Sequence, residues 1–455
     1  MSDLTRLLAP YTAALEPDGG TVRIVDAATL RERVIDDLAH AAVFGSDDER
    51  TLARWIIWEA AAALGIYPDT MHHVYLARGR GDMPGTFTTP AINLRAMTYD
   101  MAQAVFRAAL KRRVGLVVFE IARSEIAYTN QRPAEYTAAV LAAAIKTGFS
   151  GPVFLQGDHF QVRAGRYAQD AQREVQAVCD LISEALAAGF CNIDLDTSTL
   201  VDLGPKALDE QQRLNYTLSA ELAAFIRARQ PDGIEVSIGG EIGEVGGHNS
   251  TEQELRAFMD GFNRRLPRGL AGLSKVCIQT GTSSGGVVLP DGGIAHVAVD
   301  FDTLFQLSRV ARQEYQMAGA VQHGASTLPE SAFHKFVENE ACEVHLATDF
   351  QNILYEHEAF PPDLRRAIYA YLNEQFSDER APNMTDEQFY YRARKFALGP
   401  FKQALWELDA GVRAELRAAW EAQIGFLFEQ LGVVNSADLV TRYCQAGPRH
   451  RVLAG

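Results

Sequence analysis

The feature that most constrains this chain is a regular return of short β-rich runs, each followed by a helix-like stretch. Eight runs have strand character: 90–94, 114–121, 152–156, 191–196, 233–238, 274–280, 319–323 and 342–348. Between them lie segments with apolar residues at helical spacing, such as MAQAVFRAALKR, AEYTAAVLAAAIKTG and FDTLFQLSRVARQEY. Strands that alternate with helices predict a parallel sheet with right-handed crossovers, and eight such units close a (β/α)8 barrel, the α/β TIM-barrel architecture. A doubly wound open sheet competes with it, but no GxGxxG follows the first run.

The flanks have a different pattern. Residues 1–80 read as a helical extension, with apolar residues at helical spacing over 30–42 and 52–64; the breaker-rich GRGDMPGTFT at 79–88 marks its end. The barrel is therefore expected over 81–352. Residues 353–455 read as a second helical extension, rich in aromatic residues, that packs on the barrel or on a partner subunit.

Charge and cysteine content narrow the function. With 43 Lys+Arg against 58 Asp+Glu, the net charge of −15 offers no footprint for a nucleic-acid backbone. The 5 cysteines are widely spaced and contain no CxxC pair, so neither a disulfide framework nor a zinc finger is expected, and a reducing cytoplasm is. No basic-then-apolar leader opens the sequence and no window reaches the roughly 18 apolar residues of a bilayer span, so no membrane partner is expected.

In a barrel of this kind, chemistry gathers at the carboxyl ends of the strands. The third run ends in QGDHFQ with Asp158 and His159, and the fourth in DLDTST with Asp194 and Asp196. The fifth runs into GGEIGEVGGHNS with Glu241, Glu244 and His248, the sixth into GTSSGG, the seventh into QHGAST and the eighth into EVHLATDFQN with His345 and Asp349. Histidines and carboxylates collected at one rim suit a divalent-metal Lewis-acid site, and the two glycine-rich loops can turn backbone N–H groups toward an anion.

The segments PAINL, LQGDHFQV, GGEIGEVGG, IQTGTSSGG, VDFDTL, VQHGASTLPES and VHLATD resemble, in order and spacing, the class II metal-dependent ketose-bisphosphate aldolases over roughly residues 89–352, with weaker likeness up to YRARKF. The run GLVVFEIARSEIAYTNQRPAEY, followed by GDHF and AGFCNIDLDTS, also resembles the Z-type accessory chain of tagatose-bisphosphate aldolase. The resemblance implies a proton-moving role for Asp158, metal ligation by His159 and His323, and a phosphate cradle from Gly285, Gly324 and Ser326. It implies a buried acid near the metal at Glu241, substrate contacts from Asn93, Asp196 and Asp349, and a divalent metal, most simply zinc. A basic residue of the tail, Arg392, Arg394 or Lys395, is expected at the far end of the substrate, with Arg394 chosen here.

The departures from that pattern are informative. Ser284 stands where the family has its third metal histidine, His248 and Asn249 replace an acidic pair, and His345 and Ala347 replace an asparagine and an aspartate. A serine hydroxyl is a poor zinc ligand, so His345 or Glu241 is the expected third ligand. Lys275 opens the sixth strand and is expected to face the opposite rim, which disfavours Schiff-base chemistry. The implied activity is class II-type aldol cleavage of a sugar phosphate by a homo-oligomer. Two alternatives stay open: a non-catalytic accessory subunit, and a sugar-phosphate isomerase or epimerase on the same barrel.

Overall fold

A computed structural model describes residues 3–243, 247–281, 299–325 and 328–453. The N-terminal segment departs from the helical expectation: β1 (Leu15–Asp18) and β2 (Thr21–Ile24) form an antiparallel hairpin. The Asp18-Gly19-Gly20 sequence explains it, because both glycines take positive φ, 57° and 102°, as a tight turn between twisted strands requires. The predicted helices follow as Ile35–Phe44 and Asp47–Ala63, the second opened by a reciprocal Ser46/Glu49 cap. A short strand, β3 (Ile66–Pro68), then pairs with the beginning of the barrel's third strand.

All eight expected barrel strands are present: β4 (Thr89–Asn93), β5 (Val118–Ala122), β6 (Gly151–Gln161), β7 (Asn192–Asp196), β8 (Ser237–Glu241), β9 (Lys275–Ile278), β10 (Ala320–Gln322) and β11 (Glu343–Leu346). Each is parallel to its neighbours, and the β11–β4 and β6–β7 pairings close the ring. The chain is a (β/α)8 barrel with extensions at both ends. The fifth strand starts later than expected because Pro231 to Ile234 form a turn, with Gly233 at φ 75° and the Ile234 N–H donating to the Pro231 carbonyl. The second strand also starts late, since the Gly115 and Leu116 amides donate to the Ser436 hydroxyl from the C-terminal extension.

That extension packs on the barrel of its own chain. Within the long helix Ala410–Gln430, Trp420 donates its indole N–H to the Phe350 carbonyl just after β11. The final segment crosses back to the N-terminal helices, where the Trp58 and Trp55 indoles donate to the Arg449 and Arg451 carbonyls at 2.7 and 2.9 Å.

The inside of the barrel carries charge where barrels usually stack branched apolar side chains. Lys275 does not face the opposite rim as expected. It is fully buried in the barrel, with its ammonium donating to Gln156 at 2.8 Å, to Asp194 at 2.9 Å and to Glu343. Glu343 also accepts from the Tyr75 hydroxyl and from Gln156. Gly239 of β8 leaves room for this cluster, because a Cβ there would lie 2.3 Å from an Asp194 oxygen. Removing one partner of a buried ion pair leaves the other charge uncompensated. Lys275→Met is therefore expected to cost about 3–5 kcal/mol of stability, read as a lower urea midpoint, and a loss below about 1 kcal/mol would show that the network is not holding the barrel.

Candidate active site

Successive residues of a strand point to opposite faces, so Asp158 and His159 could not both enter the barrel from a regular β6. The strand resolves this with a bulge. Its register against β7 shifts between Gly157 and Phe160, and His159 takes a positive φ of 41°, an uncommon conformation for a non-glycine residue. Gly157 permits the bend, since a Cβ there would fall 2.5 Å from the Phe160 ring. Backbone strain of this kind persists only where the surrounding structure over-determines it, and here it delivers two adjacent polar side chains to one pocket.

The pocket holds the residues that the sequence grouped. The His159 Nε2 lies 3.0 Å from the His323 Nδ1, and the two rings are 4.1 Å apart. The Asp196 carboxylate meets the His159 Nδ1 at 3.2 Å, accepts from Gln161 at 2.6 Å and accepts from the Ser198 hydroxyl at 2.8 Å. A Glu241 oxygen stands 3.9 Å from the His159 Nδ1 and 3.7 Å from the His323 Nε2. These residues, with Thr199, Gly243, Ile278 and Gln279, enclose about 290 Å³ that opens at the rim.

Beneath the histidine pair lies the charged interior. His345 gives its Nδ1 to Asp158 at 3.1 Å and its Nε2 to Glu343 at 2.6 Å, with Glu120 3.2 Å from the Nδ1. Burial disfavours a charged imidazole, but Glu120 and Asp158 outweigh it and raise His345 well above the ordinary histidine value. Asp158 itself is buried, yet His159 and His345 hold it well below the usual carboxylate range. Asn93 donates to both Asp158 and Glu125 at 2.9 Å, so its expected place near the substrate is also a place beside the Asp158 carboxylate.

Other expected residues fall elsewhere. Arg394 is buried in the C-terminal extension, where it donates to Asn352 at 2.6 Å and Glu356 at 3.0 Å and lies over the Tyr355 and Tyr391 rings. It is packed there and does not reach the pocket. Lys395, its neighbour, lies within the field of Arg95 and Glu125 at the β4 end, and burial and Arg95 lower its ammonium. Asp349 accepts from Gln423 of the long C-terminal helix at 3.0 Å. Gly324 follows β10 at φ 68°. Gly285, Ser326, Ser284 and Glu244 lie outside the described residues. Gln156, Glu120, Glu125 and Gln161 were not singled out in the sequence; the glutamate inside the apolar run VVFEIA was the available signal.

Asp158, His159 and His323 each offer one donor atom, and all three atoms lie within 4.8 Å of one another; Glu241, Cys277 and His323 form a second such group. Mixed nitrogen and carboxylate donors at this spacing fit a small divalent cation. The family model for fructose-bisphosphate aldolase class-II matches residues 83–397. The chain belongs to this family. No curated protein matches it by sequence.

Among solved structures, this class-II family member is similar to a fructose-bisphosphate aldolase from Campylobacter jejuni, with 16% identity, 82% of this chain and 96% of that chain covered, and a TM-score of 0.50. It is also similar to the fructuronate-tagaturonate epimerase UxaE from Cohnella laeviribosi, with 13% identity, 94% and 98% covered, and a TM-score of 0.55. A third is a protein described as a probable tagatose 6 phosphate kinase from Sinorhizobium meliloti 1021, with 17% identity, 80% and 96% covered, and a TM-score of 0.51. At these identities the likeness concerns the fold. Among the described residues no helix is long and apolar enough to cross a membrane.

Burial pushes the Glu241 carboxyl up to about 8, with His159 opposing and Asp196 adding to the rise. A carboxyl whose value rises from 4.5 in the unfolded chain to about 8 in the fold binds more protons when folded, so its contribution to stability is present below about 4.5 and is lost as pH climbs through 8. Metal-free protein is accordingly expected to lose stability between pH 5 and 8, about one proton's worth, and Glu241→Gln to flatten that slope in urea titrations. An unchanged slope in the variant would place the proton elsewhere.

Proposed function

We propose that this protein is a divalent-metal-dependent lyase that cleaves, and in reverse forms, the carbon–carbon bond next to the carbonyl of a ketose phosphate. The observation that carries this reading is the delivery of Asp158 and His159, by one strained bulge, to the face of His323. His159 and His323 would hold the ion, with Asp158 and Glu241 beside it. When bound, a divalent metal polarises the ketose carbonyl and lowers the energy of the negative charge that develops on it.

The protein's own groups supply the rest. Asp158, kept ionised, is the base that takes the hydroxyl proton as the C–C bond breaks; the bonding electrons pass to the carbonyl fragment as an enediolate and the other fragment leaves as an aldehyde. His345 and Asn93 fix the Asp158 carboxylate from below and from the side. In this role His345 serves Asp158, since both of its nitrogens already face carboxylates. Asp196 fixes the ring and tautomer of His159, as a carboxylate behind a metal-binding histidine does. A protonated Glu241 is the group placed to return a proton to the enediolate. Lys275 is a paired ammonium and not a nucleophile, since Asp194 and Glu343 raise its value despite burial.

A second reading, epimerisation of a ketose, is favoured by the placement of two carboxyls, Asp158 and Glu241, each within 4 Å of His159. A carboxyl on either side of one centre can remove and return a proton or rejoin the fragments with the other configuration.

Elemental analysis before and after chelation is the direct test. The expected result is near one equivalent of divalent metal, lost in His159→Ala and His323→Ala but retained in His345→Gln. Asp158→Asn is expected to keep the metal and lose about 10²–10⁴-fold in activity. Release of an aldehyde from ketose phosphates supports the lyase reading, whereas a stereochemical exchange without aldehyde release favours the epimerase. Protein that binds no zinc, manganese or cobalt would overturn both.

A further inference from the structure

A second cavity of about 340 Å³ opens on the same rim of the barrel, outside the pocket just described. Four of its lining side chains are arginines: Arg123, Arg132, Arg163 and Arg166. They come from the segments that follow two adjacent strands, Arg123 directly after β5 and Arg163 and Arg166 after β6. Such a concentration of guanidinium groups runs against the rest of a chain whose net charge is −15.

Two of the four are already neutralised. Arg123 makes a bidentate pair with the buried Glu174, at 2.5 and 3.3 Å, and Arg132 pairs with Glu184. Asp180, also in the lining, accepts from Gln176. No ion pair among the described residues engages Arg163 or Arg166. The half-buried Arg163 is lowered first by burial and then by the fields of Arg123 and Arg166, with Glu174 opposing, so Arg163 stands in the repulsive field of two other guanidinium groups. A bound anion would relieve that repulsion, and planar guanidinium forks match the oxygens of phosphate.

The cavity is also wired to the candidate active site. Arg123 donates to the Gln161 carbonyl at 2.6 Å, the Gln161 amide donates to Asp196 at 2.6 Å, and Asp196 meets the His159 Nδ1 at 3.2 Å. We propose that this arginine-lined cavity is a second anion site, which takes a small phosphate-bearing molecule and stands one hydrogen-bonded chain away from His159. The proposal does not depend on which reaction the first pocket performs.

Titration calorimetry with pyrophosphate tests it, on the full-length wild type and on three variants. R163S/R166S is expected to weaken binding at least about tenfold, and R166S alone, at an exposed position, by a smaller factor; raising the salt concentration should weaken wild-type binding in step. H323A, altered only in the first pocket, is expected to bind pyrophosphate as the wild type does. Equal binding by R163S/R166S and wild type would overturn the proposal. Loss of binding in H323A would equally overturn it, since it would put the anion in the first pocket.

Discussion

An ammonium group sealed from water, that of Lys275, governs the inside of this barrel. Burying such a charge is tolerable only if it is paired and its hydrogen bonds are met. Gln156, Asp194 and Glu343 meet them from three other strands, so the network ties β6, β7, β9 and β11 together across the barrel. Glu343 passes the constraint on to His345, and His345 to Asp158. The position of Asp158 is thus linked, through Glu343 and His345, to the buried charge of Lys275.

The same network leaves an imbalance. Glu120, Asp158, Asp194 and Glu343 outnumber the two cations Lys275 and His345 among them, and burial with the nearby Asp158 pushes the Glu120 carboxyl well above the usual range. Directly above stand His159 and His323, close enough that protons on both facing nitrogens would collide. A surplus of carboxylate below and two adjoining imidazole nitrogens above is an arrangement that a divalent cation completes. The β6 bulge is what makes the arrangement reachable, because it lets one strand contribute two neighbours that a regular pleat would send apart.

The sequence carried much of this. Eight strands were legible because short apolar runs bounded by turn residues recur between amphipathic helices, and the site histidines and carboxylates were legible because polar residues at strand ends repeat from run to run. The β1–β2 hairpin was missed because its two strands, of four residues each, are too short for a clear alternation. The surroundings of Arg394 and Asp349 were not legible, because nearness in sequence to a strand end or a basic run does not say which way a helix turns them. Arg394 is packed within the C-terminal extension, where Asn352 and Glu356 engage it.

By itself the sequence determined the barrel, its strand order and the chemical types that ring its rim, because periodicity and turn residues are local properties that neighbours in the chain enforce. Only the tertiary structure decided which of those groups meet. Lys275 reaches Gln156, Asp194 and Glu343 through strand register and barrel closure, and the arginines after β5 and β6 share one cavity for the same reason. These are contacts between residues as many as 119 positions apart, and no local pattern encodes a distance across a closed sheet.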